Sequence, residues 1–264
     1  MHTLAIVGCG YLANIITDGI IKGLLPQYQL VGALSRTAAK ADKIAAKINN
    51  ADLGYQCQSY TDMDELLPTH PDYIIETASP SALKQFALQA LQQGISIITL
   101  SIGAFADQEF YTAAAQTAQA NNARIHIASG AIGGFDVLRT ATLMGNAQVT
   151  FSTEKNPRPL KGTPLYNEEL DDHKKQVFSG TPTEAIALLP TQVNVSVAAS
   201  IASVGPEHVD MTITSTPNYV GDRHIITIKN DTVDAEVNVY SSTAEIAGWS
   251  VIEVLQNIVS PIVF

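Results

Sequence analysis

The sequence predicts an α/β chain of two domains. The first is a doubly wound parallel sheet over residues 1–130, and the second an α+β domain over residues 131–264. Three observations carry this expectation. Strand-like and helix-like segments alternate through the first half, as they do in parallel sheets built from crossovers. A glycine-rich turn separates the first strand from the first helix. After residue 129 the texture changes to segments of alternating apolar and polar residues, the mark of strands with one wet face.

The elements follow in order. LAIVG at 4–8 is a short apolar run ending in glycine, as expected of a fully buried parallel strand. Residues 12–23 carry apolar positions at helical spacing and are closed by Pro26. QLVGALS at 29–35 is a second strand and the Ala- and Lys-rich segment 38–48 a second helix. Strands at 72–78, 96–101 and 124–129 continue the series, with helices at 81–93 and 108–121 between them. Residues 130–134 form a flexible turn into a helix that runs to 144, followed by the strand QVTFSTEK. The polar segment 156–175 reads as a long loop. Thr181-Pro182-Thr183-Glu184 has the form of a capping box with proline at the first helical position, so a helix starts there. VDMTITS, HIITIKN and AEVNVYS read as antiparallel strands, and an amphipathic helix at 244–259 stops before Pro261.

The turn Gly8-Cys9-Gly10-Tyr11-Leu12-Ala13 has the form G-x-G-x-x-A. Gly8 permits the tight turn, Gly10 lets a pyrophosphate approach the backbone, and Ala13 lets helix and strand pack closely. The helix N-terminus offers free N–H groups to the phosphates. In this position the pattern predicts a Rossmann dinucleotide-binding domain. A site selective for NAD places an acid after the second strand to hold the ribose hydroxyls. Here the chain has Ser35-Arg36-Thr37, and a hydroxyl with a guanidinium suits a 2′-phosphate. The expected cofactor is NADP or NAD, with a lean to NADP.

Composition narrows the partners. A net charge of −10 opposes nucleic acid and anionic membranes, and 46% hydrophobic residues suffice for a sizeable core. No apolar stretch is long enough to span a bilayer, and the N-terminus lacks the basic region and cleavage site of a secretory signal. The two cysteines, Cys9 and Cys57, make no disulfide framework, so the expectation is a cytoplasmic protein with reduced thiols. No His/Cys/Asp cluster has metal-ligand spacing, and there is no nucleophile elbow.

Four segments resemble the L-aspartate dehydrogenase family: SGAIGGFDVLRT at 129–140, STEKNPRPLKGTP at 152–164, VFSGTPTEAIALLPTQVNVSVAASIASVG at 177–205 and GDRHIITI at 221–228. The resemblance implies a backbone contact from Ala131 to the nicotinamide portion of the cofactor, an asparagine beside the cofactor at Asn194, and a catalytic histidine at His224. It also implies reversible oxidative deamination of L-aspartate to oxaloacetate and ammonia through iminoaspartate, a link to NAD biosynthesis, and a homodimer formed with the second domain. Two positions depart from the family pattern. Gln192 stands where the family often has asparagine, and Tyr240-Ser241-Ser242-Thr243 replaces a segment that commonly carries lysine. Two other readings stay open: a related dehydrogenase acting on another amino or keto acid, and a non-catalytic NAD(P) sensor.

On the residues alone, none of the six histidines is excluded from catalysis, and only the resemblance selects His224. Its chemistry fits, because imidazole titrates near neutrality and exchanges protons with an amine or a water. A dicarboxylic amino or keto acid needs cations, since a buried carboxylate without partners is costly. Arg158 and Lys161 in NPRPLKG are the candidates, with Arg139 a third.

Overall fold

A computed structural model describes residues 1–264. The chain forms two compact units, Met1–Ala128 joined by Ala247–Phe264, and Ser129–Ile246.

The first unit runs β1 (His2–Val7), α1 (Tyr11–Ile21), β2 (Tyr28–Leu34), α2 (Ala38–Asn49), β3 (Gln58–Tyr60), α3 (Met63–Leu66), β4 (Tyr73–Glu76), α4 (Pro80–Gln92), β5 (Ser96–Thr99), α5 (Gln108–Ala120) and β6 (Ile125–Ile127). Its six strands are parallel, in the order β3-β2-β1-β4-β5-β6. The strand order reverses between β1 and β4, and in such sheets ligands bind in the crevice at the carboxyl ends of the strands beside that point. Leu4, Ala5 and Ile6 of β1 are inaccessible to solvent, as expected for a strand covered on both faces. The periodicity did not disclose β3 or α3. β3 is a three-residue edge strand with two exposed side chains, too short to carry a pattern.

The second unit contains α6 (Phe135–Leu143), β7 (Gln148–Lys155), β8 (Lys175–Gly180), α7 (Pro182–Leu188), α8 (Asn194–Ile201), β9 (Val209–Ser215), β10 (Asp222–Lys229) and β11 (Asp234–Ser241). Its sheet has the order β11-β10-β7-β9-β8. β10 is antiparallel to β7 and β11, and β8 to β9, but β7 and β9 run parallel. VDMTITS, read as an antiparallel strand, is antiparallel to β8 but parallel to β7. The long excursion through β8, α7 and α8 supplies the crossover that a parallel pair requires. β8 begins at Lys175, the last residue of the segment read as a loop, and the sequence reading assigned it no strand. Within that segment two 3-10 turns, Arg158–Leu160 and Glu168–Asp171, each bury one leucine, Leu160 and Leu170. The capping box forms as read: the Thr181 hydroxyl accepts from the Glu184 N–H, and the Glu184 carboxylate accepts from the Thr181 N–H at 2.7 Å.

The final helix, α9 (Glu245–Val259), corrects the expected domain limits, because residues from 247 onward return to the first unit. Val251, Ile252 and Leu255 lie on one helical face and join the core formed with Ile16, Ile20 and Leu25. The Tyr28 hydroxyl donates to the Leu255 carbonyl at 2.8 Å, and the Gln256 amide donates to the Leu24 carbonyl at 2.9 Å. Burying these apolar side chains stabilises the unit by roughly 1.5–3 kcal/mol each.

Candidate active site

At the carboxyl end of β1, Gly8 adopts φ +96°, and a Cβ added there would lie 2.6 Å from the Ala78 backbone nitrogen. Gly8 therefore serves both the turn and the close approach of the loop after β4. That loop is anchored by Glu76, which is fully buried. Its carboxylate accepts from the N–H groups of Ala78 (2.7 Å) and Ser79 (2.9 Å) and from the hydroxyls of Thr99 (2.6 Å) and Ser101 (2.9 Å). Burial raises the Glu76 pKa, and these four donors oppose the rise. The Thr77 hydroxyl donates to the Gly8 carbonyl at 2.6 Å, which ties the loop to the glycine turn.

Gly10 differs from Gly8: an added Cβ would meet nothing within 4 Å. It stands at the N-cap of α1, where no side chain caps the helix and no acid occupies the first turn. Open space against backbone at an uncapped helix start fits a pyrophosphate. A cavity of about 590 Å³ is lined by Gly8, Gly10, Ser35, Arg36, Lys40 and Asp62, among others. This volume is in the range of small-molecule and cofactor sites. The Asp62 carboxylate is engaged locally, accepting from the Asp64 N–H at 3.0 Å.

The second unit carries a different chemistry. Across β9, β7 and β10 the inner face of the sheet reads, row by row, Val209/Val149/Ile228, Met211/Phe151/Ile226, Ile213/Thr153/His224 and Ser215/Lys155/Asp222. Two apolar rows give way to two that are largely polar. Thr153, Lys155, Ser215 and His224 are all buried. The Thr153 hydroxyl, the Ser215 hydroxyl and His224 Nδ1 are shut off from solvent without a hydrogen-bond partner in the chain. The Lys155 ammonium reaches only the Gln192 carbonyl, at 3.4 Å. Burial lowers the pKa of Lys155, and the nearby Asp222 carboxylate opposes this. His224 is pushed down to about 4, first by burial and then by the Lys155 charge. Its ring stacks on Phe151 with centroids 5.8 Å apart. An imidazole in this state is neutral near pH 7 and able to accept a proton, which differs from the near-neutral titration expected of a free histidine.

Comparison with known proteins gives this arrangement a family. The description "Aspartate dehydrogenase, C-terminal" matches residues 136–258, and "Homoserine dehydrogenase, NAD binding domain" matches residues 8–128. An L-aspartate dehydrogenase of Methanococcus maripaludis (strain C6) is 31% identical over 99% of this chain and 98% of its own length. The chain belongs to the L-aspartate dehydrogenase family. The L-aspartate dehydrogenase of Methanosarcina acetivorans is 30% identical over the same shares of the two chains. The crystal structure of aspartate dehydrogenase from Thermotoga maritima superposes with a TM-score of 0.78 at 26% identity, covering 100% of this chain and 99% of that one. As a member of this family the chain is an NAD(P)-dependent oxidoreductase.

Within the family frame, the structure locates each residue picked out in the sequence. Gly8, Gly10, Ser35 and Arg36 line the cavity of the first unit, while Ala13 is fully buried in the α1 face that packs on the sheet. Ala131 sits in the turn between Gly130 (φ +64°) and Gly134 (φ +73°) that leads into α6. Asn194 opens α8, two residues after the Gln192 carbonyl that receives Lys155. His224 is the one buried histidine of six.

Arg158 and Lys161 are not brought to the buried polar rows. Lys161 is half exposed, pairs with Asp171 at 2.8 Å and lies over the Tyr166 ring, while Arg158 is exposed and acts on the same Asp171. Arg139 is exposed on α6. The lysine that the polar rows do contain, Lys155, was passed over in the sequence. Its signal was present: in QVTFSTEK the alternation places Lys155 in phase with Val149 and Phe151, the core residues of that strand.

Proposed function

We propose that this chain catalyses the reversible, NAD(P)-dependent oxidative deamination of L-aspartate to oxaloacetate and ammonia, with His224 as the proton-transfer group. The observation that carries the reading is a buried His224, neutral near pH 7, one row of the sheet from the buried Lys155, in a chain of the L-aspartate dehydrogenase family. The cofactor supplies the hydride acceptor at the substrate α-carbon. His224 takes a proton from the water that adds to the iminoaspartate carbon and returns it as ammonia departs. The Phe151 ring and the neighbouring strands hold the imidazole in one orientation and keep bulk water from it.

Gly8, Gly10 and the start of α1 would hold the pyrophosphate, and Ala131 and Asn194 the nicotinamide end. Ser35, Arg36 and Lys40, a further cation in the same cavity, support a preference for NADP over NAD. No helix is long and apolar enough to cross a membrane. The homodimer that the resemblance implies is tested by sedimentation of the purified protein.

A substrate panel tests the reaction. Purified protein is given each of L-aspartate, L-homoserine and neutral L-amino acids with NADP or NAD, and nicotinamide absorbance is followed. The expected outcome is turnover on L-aspartate, and in reverse on oxaloacetate with ammonia. NADPH binding without turnover on any of these acids would favour a nucleotide sensor.

A further inference from the structure

Charged side chains are rarely buried unless paired, because removing an ion from water is costly. Lys155 is nine-tenths buried or more, yet no carboxylate forms an ion pair with it, and its one hydrogen bond is the long contact to Gln192. Asp222, its cross-strand neighbour, acts on it through charge alone. The hydroxyls of Thr153 and Ser215, one on the same strand and one opposite Lys155 on β9, are buried with no partner. Unpartnered buried hydroxyls in the same two rows of the sheet as a lysine ammonium have a common complement: an anion with several acceptor oxygens.

We propose that Lys155, with the hydroxyls of Thr153 and Ser215, is the receptor for a carboxylate of the substrate, so that Lys155 is a binding and specificity residue of this enzyme. The inference rests on the reading of this site as one for an acidic amino acid. A carboxylate accepts from the ammonium and from both hydroxyls, which satisfies the three buried groups together and neutralises the lysine charge. Its negative charge also opposes the effect of Lys155 on His224 one row away. Burial lowers the Lys155 pKa when no anion is bound, and an anion reverses that shift.

The test uses oxaloacetate as the probe, titrated calorimetrically into protein saturated with NADP, where no reduction occurs. Wild type should bind it. Lys155→Met should weaken binding roughly 10- to 100-fold, the range for a lost hydrogen bond to a charged group. Thr153→Val and Ser215→Ala should each weaken it several-fold. NADPH affinity should stay at the wild-type value in all three. Without oxaloacetate, Lys155→Met should melt no lower than wild type, because an unpaired buried charge has been removed.

A lysine needed only for folding would instead lower the melting temperature, and that result overturns the proposal. Undiminished oxaloacetate binding by Lys155→Met, or its absence in wild type, overturns it equally. The two readings fail separately: wild type that binds oxaloacetate through Lys155 but does not turn over L-aspartate contradicts the proposed reaction and leaves the receptor standing.

Discussion

Gly8 and Gly10 are two residues apart in one turn, yet their substitution should fail in opposite ways. A Cβ at Gly8 would sit 2.6–2.7 Å from three atoms of Ala78, at φ +96°. Backbone strain of about 1–3 kcal/mol and overpacking of about 1–3 kcal/mol add to roughly 2–6 kcal/mol. At about 2–4 °C per kcal/mol for a chain of this size, Gly8→Ala should lower the melting temperature by roughly 5–20 °C. At Gly10, φ is −93° and an added Cβ meets nothing. The cost of Gly10→Val is then the loss of a favourable N-cap residue, about 1 kcal/mol or less. Its side chain would instead fill the space the pyrophosphate needs. Losing one charge-assisted hydrogen bond to the backbone, about 2 kcal/mol, corresponds to about 30-fold in affinity. NADPH titration by fluorescence and a thermal melt on both variants give the comparison. Wild-type NADPH affinity in Gly10→Val, or a melt as depressed as that of Gly8→Ala, would refute the assignment of Gly10 to the phosphates.

Three further outcomes follow from the same structure. Arg36→Asp should move preference from NADPH toward NADH, read as the ratio of the two dissociation constants; an unchanged ratio removes Arg36 from cofactor selection. His224 binds its proton less well folded, at about 4, than at its ordinary 6.5, so its contribution is intact above 6.5 and is lost as the pH falls toward 4. That contribution is on the order of 3 kcal/mol, and subtracting the melting profile of His224→Gln from that of wild type should isolate it. Finally, burial pushes the Cys9 thiol up to about 11 and that of Cys57 up to about 12, so thiol reagents should miss both in native protein at pH 8 and find both after denaturation without reductant.

Much of this architecture could be read from the chain, because parallel strands and their crossover helices write strong local patterns. LAIVG before the glycine turn is one such pattern, and the Thr181 capping box is another. What remained hidden depended on partners distant in sequence. The helix ending at Val259 shows a clear apolar face, but its periodicity cannot say that Tyr28 and Ile16 lie beneath it. Glu76 falls inside a segment that reads as an apolar strand, and its four donors come from the end of β5 and from the loops after β4 and β5. The cations singled out in the sequence, Arg158, Lys161 and Arg139, are exposed in the fold. Burial without pairing singles out Lys155, and that property belongs to the folded sheet.

The measurement that bears most directly on the account is turnover and NADPH affinity of His224→Ala in one preparation. The residues proposed to hold the cofactor are those of the glycine turn, Ser35, Arg36, Ala131 and Asn194, and His224 is not among them, so NADPH affinity should match wild type. Turnover on L-aspartate should fall by roughly two to four orders of magnitude, the range for a lost general acid–base. A folded His224→Ala protein that turns over L-aspartate at the wild-type rate would contradict the account.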